Sequence, residues 1–256
     1  MNTVALFGAG LMGQRVAELL QRWPDVALAA VVSRNRPEWL RDVPWYPNVD
    51  ELSETTGFLI DFSLPGGTGA AANWCRANMV PMISGTTGLE EADREALEHA
   101  AELVPVLWAP NLSRGLNLVL RSVVEAAASL PRDIPVRITD VHHVHKKDQP
   151  SGTALLLAHA IASARGVRPE DCLVLSMGSD APRAGMVQCV SHREGEAVGA
   201  HRVTFYCRHE QIEFSHEAEE RDIYAAGAIE AGFWLLKQPA GLYSAAEWLA
   251  PPNSEV

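Results

Sequence analysis

Lysine is nearly missing from this chain. Only Lys146, Lys147 and Lys237 occur, although Lys and Arg together number 21 in 256 residues. Lysine is common on most protein surfaces, and here arginine has taken its place. Two of the three lysines stand side by side in the most polar, His-rich stretch. Arginine can hold an anion but keeps its proton, whereas lysine can release one. A lysine retained there points to proton chemistry; the plainer account is chance on an Arg-biased background. Cysteine is also sparse. Cys75, Cys172, Cys189 and Cys207 form neither a CxxC pair nor a zinc spacing. Buried, reduced thiols are the expectation, and with them a reducing cytoplasm. No apolar run is long enough to span a bilayer. No basic leader precedes the apolar residues 3–7, so a signal peptide is not expected. Positive charge is outnumbered, with 32 Asp and Glu and a net charge of -11. Such a balance argues against nucleic acid or an anionic membrane as partner. Any anionic ligand must be held by local groups.

What is present is an ordinary globular composition, 47% hydrophobic and 21% charged, in a length that suits one or two domains. Residues 3–7, 26–32, 58–62, 80–84 and 104–109 read as short apolar strands. Residues 68–78 and 91–102 read as helices between them, and Met12, Val16, Leu19 and Leu20 recur at helical spacing after the first strand. That alternation predicts an α/β fold, a Rossmann-like doubly wound parallel sheet. Beyond about Asn117 the pattern changes. A helix is expected over 118–130, stopped by Pro131, and then a strand in which Val136, Ile138 and Asp140 alternate with Arg137, Thr139 and Val141. A helix over 154–164 follows, with Gly166 as its C-cap. Val203, Phe205 and Cys207, answered by Ile212 and Phe214, predict a hairpin turning near His209 and Glu210. The second region is therefore expected to be an α+β domain with an open mixed sheet. A last helix is expected over 223–236.

Gly8, Ala9, Gly10, Leu11, Met12 and Gly13 make a GxGxxG sequence between the first strand and the first helix. Glycines there let the backbone approach a pyrophosphate, and the helix N-terminus offers it free N–H groups. A tight strand-to-helix turn without a ligand is the bland alternative. After the second strand, at Val32-Ser33-Arg34-Asn35-Arg36, no acid stands where NAD enzymes read the ribose. Arg34 suits the 2′-phosphate of NADPH, so NADPH is preferred over NADH.

The densest segment is Asp140-Val141-His142-His143-Val144-His145-Lys146-Lys147-Asp148-Gln149-Pro150-Ser151-Gly152-Thr153. His and Lys together can bind carboxylates and supply a proton. Ser151, Gly152 and Thr153 at a helix start offer N–H groups and hydroxyls to a carboxylate. The plainer alternative for Ser151 is an N-cap. The three histidines can also be read as metal ligands, but no HxxxH or HExxH spacing supports that, and no metal is expected.

These motifs resemble those of the dihydrodipicolinate reductase family. The resemblance rests on the run from His142 to Ala154 and, in order along the chain, on Asp61-Phe62-Ser63-Leu64-Pro65, Ser84-Gly85-Thr86-Thr87-Gly88, Ala109-Pro110-Asn111-Leu112-Ser113-Arg114-Gly115, Arg193-Glu194-Gly195, Gly199-Ala200-His201 and Gly241-Leu242-Tyr243-Ser244. It implies a reductase of a small cyclic imine dicarboxylate in lysine biosynthesis. His142 would give or take a proton, and Lys146 would be a second proton donor. His143, Gly152 and Thr153 would hold substrate carboxylates. Gly85, Thr86 and Thr87, with Ala109, Pro110, Asn111 and Leu112, would line the nicotinamide pocket, and Arg34 would meet the adenosine phosphate. It also implies a homotetramer built through the second sheet. The expected boundaries are 1–113 with 222–256 for the dinucleotide domain and 114–221 for the substrate and oligomerisation domain. The glycine loop is one residue shorter than the family's, with Leu11 at its arginine and Ser33 at its ribose-side acid.

Overall fold

Apolar runs without polar alternation become strands covered on both faces. In a computed structural model, described over residues 2–53, 56–176 and 181–250, they form β1 (Asn2–Phe7), β2 (Val26–Val32), β4 (Phe58–Asp61), β5 (Met82–Ser84) and β6 (Pro105–Trp108). Two short strands, β3 (Trp45–Tyr46) and β12 (Gly241–Tyr243), close the edges of a seven-stranded sheet in the order β12-β6-β5-β4-β1-β2-β3, every pair parallel. The chain divides into two units, Met1–Arg114 with Arg221–Val256 and Gly115–Glu220, and this sheet belongs to the first. Residues 1, 54, 55 and 251–256, which fall in the expected dinucleotide domain, lie outside the described residues.

Helices cover both faces of the first sheet, as a doubly wound fold requires. On one face lie α1 (Leu11–Leu20) and α7 (Asp222–Leu235), sharing a core of Val16, Leu20, Ala228, Ile229 and Leu235 with Leu6, Phe58 and Trp248. Gly13, Val16, Ala17 and Leu20 are the buried face of α1, at the i, i+3, i+4, i+7 spacing of an amphipathic helix. α7 packs so closely that a Cβ at Gly232 would lie 2.3 Å from the Phe58 ring. On the other face, α2 (Gly67–Asn78) and α3 (Glu91–Ala101) bury Ala71, Cys75, Leu97 and Ala100. Asp93 of α3 accepts Gly66 N and Gly69 N, each at 2.9 Å, and so satisfies orphan donors at the start of α2.

The second unit holds a mixed five-stranded sheet in the order β11-β10-β7-β9-β8, built from β7 (Val136–His142), β8 (Leu173–Ser176), β9 (Val187–Arg193), β10 (Gly199–Tyr206) and β11 (Gln211–Ala218). β7 pairs antiparallel with β10 and parallel with β9. α4 (Arg114–Ser129) and α5 (Gly152–Ala164) supply Val123, Ala127, Leu157 and Ile161 to a core with Val136, Ile138, Val203 and Phe205. Short α6 (Pro169–Cys172) lies in this unit, and short α8 (Ala245–Trp248) in the first.

The α/β reading holds, with differences that have physical reasons. β8 and β9 were not expected, because Gln188, Ser191 and His192 interrupt the apolar pattern of β9. α4 begins at Arg114 rather than 118, its first turn being polar apart from buried Leu116. The hairpin strands stop at Tyr206 and resume at Gln211, so Cys207 lies in the turn.

Candidate active site

In the first unit, the predicted cofactor residues sit where the strands end. Gly8 donates to Val32 O at 2.9 Å and has φ +99°, a left-handed conformation that glycine alone adopts without strain. A Cβ there would be 2.3 Å from Phe62 O, and one on Gly13 would be 2.0 Å from Gly8 O. Gly10 is different: nothing lies within 4 Å of a Cβ built on it, and no side chain caps α1. An open, uncapped helix N-terminus is what a pyrophosphate needs. A pocket of about 760 Å³ begins at this loop and is lined by Gly8, Gly10, Ser33, Arg34 and Ser63 among others. These residues fit a dinucleotide. Leu11 is 55% exposed and Met12 is half-buried. The Ser33 hydroxyl is already engaged, donating to Asn35 O at 2.8 Å and lying 3.2 Å from Trp45 Nε1.

Behind the next two strand ends lies a fully buried carboxylate, Asp61. It accepts from Thr68 Oγ1 and Ser84 Oγ at 2.7 Å each, from Thr86 Oγ1 at 3.1 Å and from Ser63 N at 2.9 Å. All four donors are neutral. Gly85 N bonds to Asp61 O at 2.9 Å, and Trp108 Nε1 bonds to Thr86 O at 3.1 Å, so the predicted turn is pinned from several sides. Gly85 lies flat against Phe62, whose ring would meet a Cβ at 2.3 Å. Burial, reinforced by the charge of Asp61, pushes the Cys75 thiol well up. Of the other predicted pocket residues, Ala109 joins the turn through Ala109 N to Ser84 O at 3.0 Å, Asn111 Oδ1 accepts from Ser113 N, Thr87 and Pro110 are exposed, and Leu112 is buried in the core.

The His–Lys segment lies in the second unit. Strand period two puts Asp140 and His142 on one face of β7. Ladder register sets His201 of β10 beside Asp140, and Arg193 of β9 beside His142. His142 Nδ1 approaches Asp140 Oδ1 to 2.9 Å, and His201 Nε2 approaches the same oxygen to 3.4 Å. Ser151 N donates to Asp140 Oδ2 at 3.0 Å, with Arg193 Nη1 at 3.5 Å. Burial opposes the charge on Asp140, yet the contacts from His142, His201 and Ser151 outweigh it and hold the carboxyl well below the usual range. The Ser151 hydroxyl caps α5 by accepting from Ala154 N at 3.1 Å and lies 3.3 Å from His201 Nε2.

Beyond β7 the chain turns. Arg193 stitches the turn by donating to the carbonyls of Lys146 and Asp148. Lys146 Nζ meets Asp148 Oδ2 at 2.8 Å with its side chain 23% exposed. Burial tends to raise the Asp148 carboxyl, but the bond from Lys146 more than compensates and lowers it. His143 and Thr153 are half-buried, while Gly152 is exposed. His143 and His145 have ring centroids 6.2 Å apart, whereas the His142 ring meets His201 edge-on at 5.2 Å. The histidine that joins His142 is therefore His201, not one of its sequence neighbours.

Comparison with known proteins decides the family. The model described as dihydrodipicolinate reductase, N-terminus, matches residues 2–112, and that described as dihydrodipicolinate reductase, C-terminus, matches 115–249. The chain belongs to the dihydrodipicolinate reductase family. A 4-hydroxy-tetrahydrodipicolinate reductase of Zymomonas mobilis is 38% identical over 243 residues, covering 94% of each chain. Another, of Campylobacter concisus, is 37% identical over 254 residues, covering 95% of this chain and 96% of that one. Among solved structures, the dipicolinate-bound dihydrodipicolinate reductase from Paenisporosarcina sp. TG-14 has the same fold, with a TM-score of 0.81 at 24% identity over 96% of this chain and 98% of that one.

Sequence reasoning named the loop ends but not the residues behind them. Asp61, Asp140, Arg193 and His201 had no assigned role, although each stands within a quoted block or segment. The signal in the sequence was the Asp-x-His spacing on one strand, which places a carboxylate beside the imidazole.

Proposed function

We propose that this protein reduces 4-hydroxy-tetrahydrodipicolinate to tetrahydrodipicolinate on the diaminopimelate route to lysine, with a reduced nicotinamide as hydride source. The observation that carries the reading is the second unit's cluster: His142 paired to a buried carboxylate, Lys146 nearby in sequence, and the N-terminus of α5 at Ser151, Gly152 and Thr153. In a chain of this family, that set supplies what a reduced dicarboxylate ring requires. The bound cofactor supplies the hydride. His142 or Lys146 supplies the proton that the resulting enamine or carbanion takes up. With Nδ1 turned to Asp140, Nε2 is the atom of His142 that exchanges a proton. Gly199 packs beside that nitrogen, and a side chain there would crowd it, since a Cβ would stand 2.9 Å away. Lys146 also stabilises negative charge developing on the ring. His143, Gly152 and Thr153 hold the carboxylates.

On the cofactor side we assign the pyrophosphate to the loop of Gly8, Ala9, Gly10, Leu11, Met12 and Gly13. The nicotinamide pocket goes to Gly85, Thr86 and Thr87 with Ala109, Pro110, Asn111 and Leu112. NADPH is the preferred donor over NADH, because Arg34 lines the pocket and Ser33 brings no charge to repel a phosphate. The first unit is thus read as the dinucleotide domain and the second as the substrate domain. We further read the enzyme as a cytoplasmic homotetramer assembled through the second sheet, whose edge strand β8 exposes Leu175.

The test is a coupled assay with freshly made substrate, following loss of NADPH and of NADH absorbance in parallel, before and after exhaustive chelation. Turnover with both samples supports the reading. Turnover of a related imine or semialdehyde but not of this substrate replaces it with a paralogous reductase.

A further inference from the structure

We infer that Asp140 is a positioning residue that governs the proton donor and the substrate-carboxylate cradle together, and that His201 sets how much of Asp140 is given to His142. This rests on the proposed role of His142, and adds two residues that act through it.

The argument begins with how the carboxylate is divided. Asp140 is 0% exposed, so its two oxygens are turned away from bulk solvent and toward the protein donors around them. Oδ2 is taken by the Ser151 backbone and the Arg193 guanidinium. Those contacts belong to the start of α5 and to the turn of Lys146. Oδ1 faces the two imidazoles, His142 at 2.9 Å and His201 at 3.4 Å. His201, itself 4% exposed, divides its Nε2 between that oxygen and the Ser151 hydroxyl at 3.3 Å. One side chain therefore connects β7, β9, β10 and α5.

Two consequences follow. First, a carboxylate beside Nδ1 favours the tautomer of an imidazole that carries its proton on that nitrogen, and Asp140 Oδ1 lies 2.9 Å from Nδ1 of His142. His142 then presents Nε2 as the exchanging atom in one orientation. Second, the two rings share the charge of one oxygen, so removing His201 leaves His142 as the one imidazole beside Oδ1. Other titratable or charged groups around the pair are Arg193 and Cys189 on β9, and His216 on β11 beyond His201. Arg193 keeps its charge at every relevant pH. The Cys189 thiol, pushed up to about 12 by burial and by Asp140, stays neutral.

The experiment is a nitrogen NMR reading of the His142 ring tautomer in the full-length protein at one fixed alkaline pH, with kcat and KM, for the wild type, Asp140→Asn and His201→Asn. Asp140→Asn is expected to move the ring proton from Nδ1 to Nε2 and to lower kcat by about 10²-fold or more, as loss of a carboxylate behind a working histidine does. Cofactor affinity, read by direct titration, stays within twofold. His201→Asn is expected to keep the proton on Nδ1 and to move its resonance downfield, as a strengthened bond to Oδ1 does. A merely structural role would shift melting temperature and leave both readings where they were. An unchanged tautomer in Asp140→Asn overturns the inference, as does an upfield shift in His201→Asn, and the latter variant decides the matter alone should the former not fold. The tautomer reading needs no substrate. A protein that turns over a different imine would change the proposed function and leave this inference standing.

Discussion

Each unit buries a carboxylate on a strand of its sheet, and the two are treated differently. Asp61, on β4 of the first unit, is surrounded by three hydroxyls and a backbone N–H. Asp140, on β7 of the second, faces two imidazoles, a guanidinium and a backbone N–H. Neutral donors cannot change their charge, so the Asp61 cage keeps the same geometry at any working pH. Imidazoles can, so the Asp140 cage couples geometry to protonation. The contrast matches the tasks proposed for the two units: one must hold a ligand still, and the other must hand over a proton. A buried acid is thus informative through its donors more than through its burial.

The sharpest way to break this comparison is to remove the proton donors. His142→Gln and Lys146→Met should each lower kcat by about 10²–10⁴-fold, the usual span for lost acid–base catalysis, with cofactor affinity nearly unchanged by fluorescence titration. Near-normal turnover in both would erase the chemical role of the second unit. Arg34→Ala should act only on the first, weakening NADPH by roughly 10–100-fold, as loss of charge-assisted hydrogen bonds does, and NADH far less. Equal loss for both cofactors would take Arg34 out of phosphate recognition.

Asp61→Asn should cost about 1–3 kcal/mol in urea unfolding, because an amide cannot accept from all four donors and leaves a buried hydroxyl unsatisfied. Its kcat at saturating cofactor should fall less than that of Asp140→Asn, and its pH profile should keep the wild-type shape. A shifted profile would mean that the Asp61 cage is not the pH-neutral one. The smallest effect concerns His216. Burial, with His201 beside it, lowers its affinity for protons below the ordinary 6.5. The unfolded chain therefore binds that proton first as the pH falls. The stability linked to neutral His216 is full above about pH 6.5 and is lost as the pH drops through the lower folded value. His216→Gln should make the acid-side decline in Tm shallower by about 1–2 °C, and an unchanged decline would assign it to other groups.

How much of this was legible in the sequence depends on range. The glycine loop, the face of α1 and the cap at Ser151 are local patterns spanning a few residues, and they could be read directly. The Rossmann-like sheet was legible because its strands are unbroken apolar runs. β9 was not, since its polar residues face groups such as Arg137, whose Nε meets Gln188 at 3.1 Å. The Asp140 cage was hidden for a related reason. Its members come from four elements, and only the register of β7 against β9 and β10 brings Arg193 and His201 to one carboxylate. Likewise nothing in the spacing of Thr68, Ser84 and Thr86 reveals that all three donate to Asp61.

The interrupted first unit has a consequence for synthesis. Its core lacks Ala228, Ile229, Leu235 and Trp248 until the last part of the chain has been made. A nascent polypeptide growing from its N-terminus would hold Leu6 and Phe58 without their covering helix while the continuous stretch Gly115–Glu220 emerged and folded on its own. The portion translated first would thus be finished last, and a ribosome stalled before α7 would carry an open sheet that invites aggregation or a chaperone.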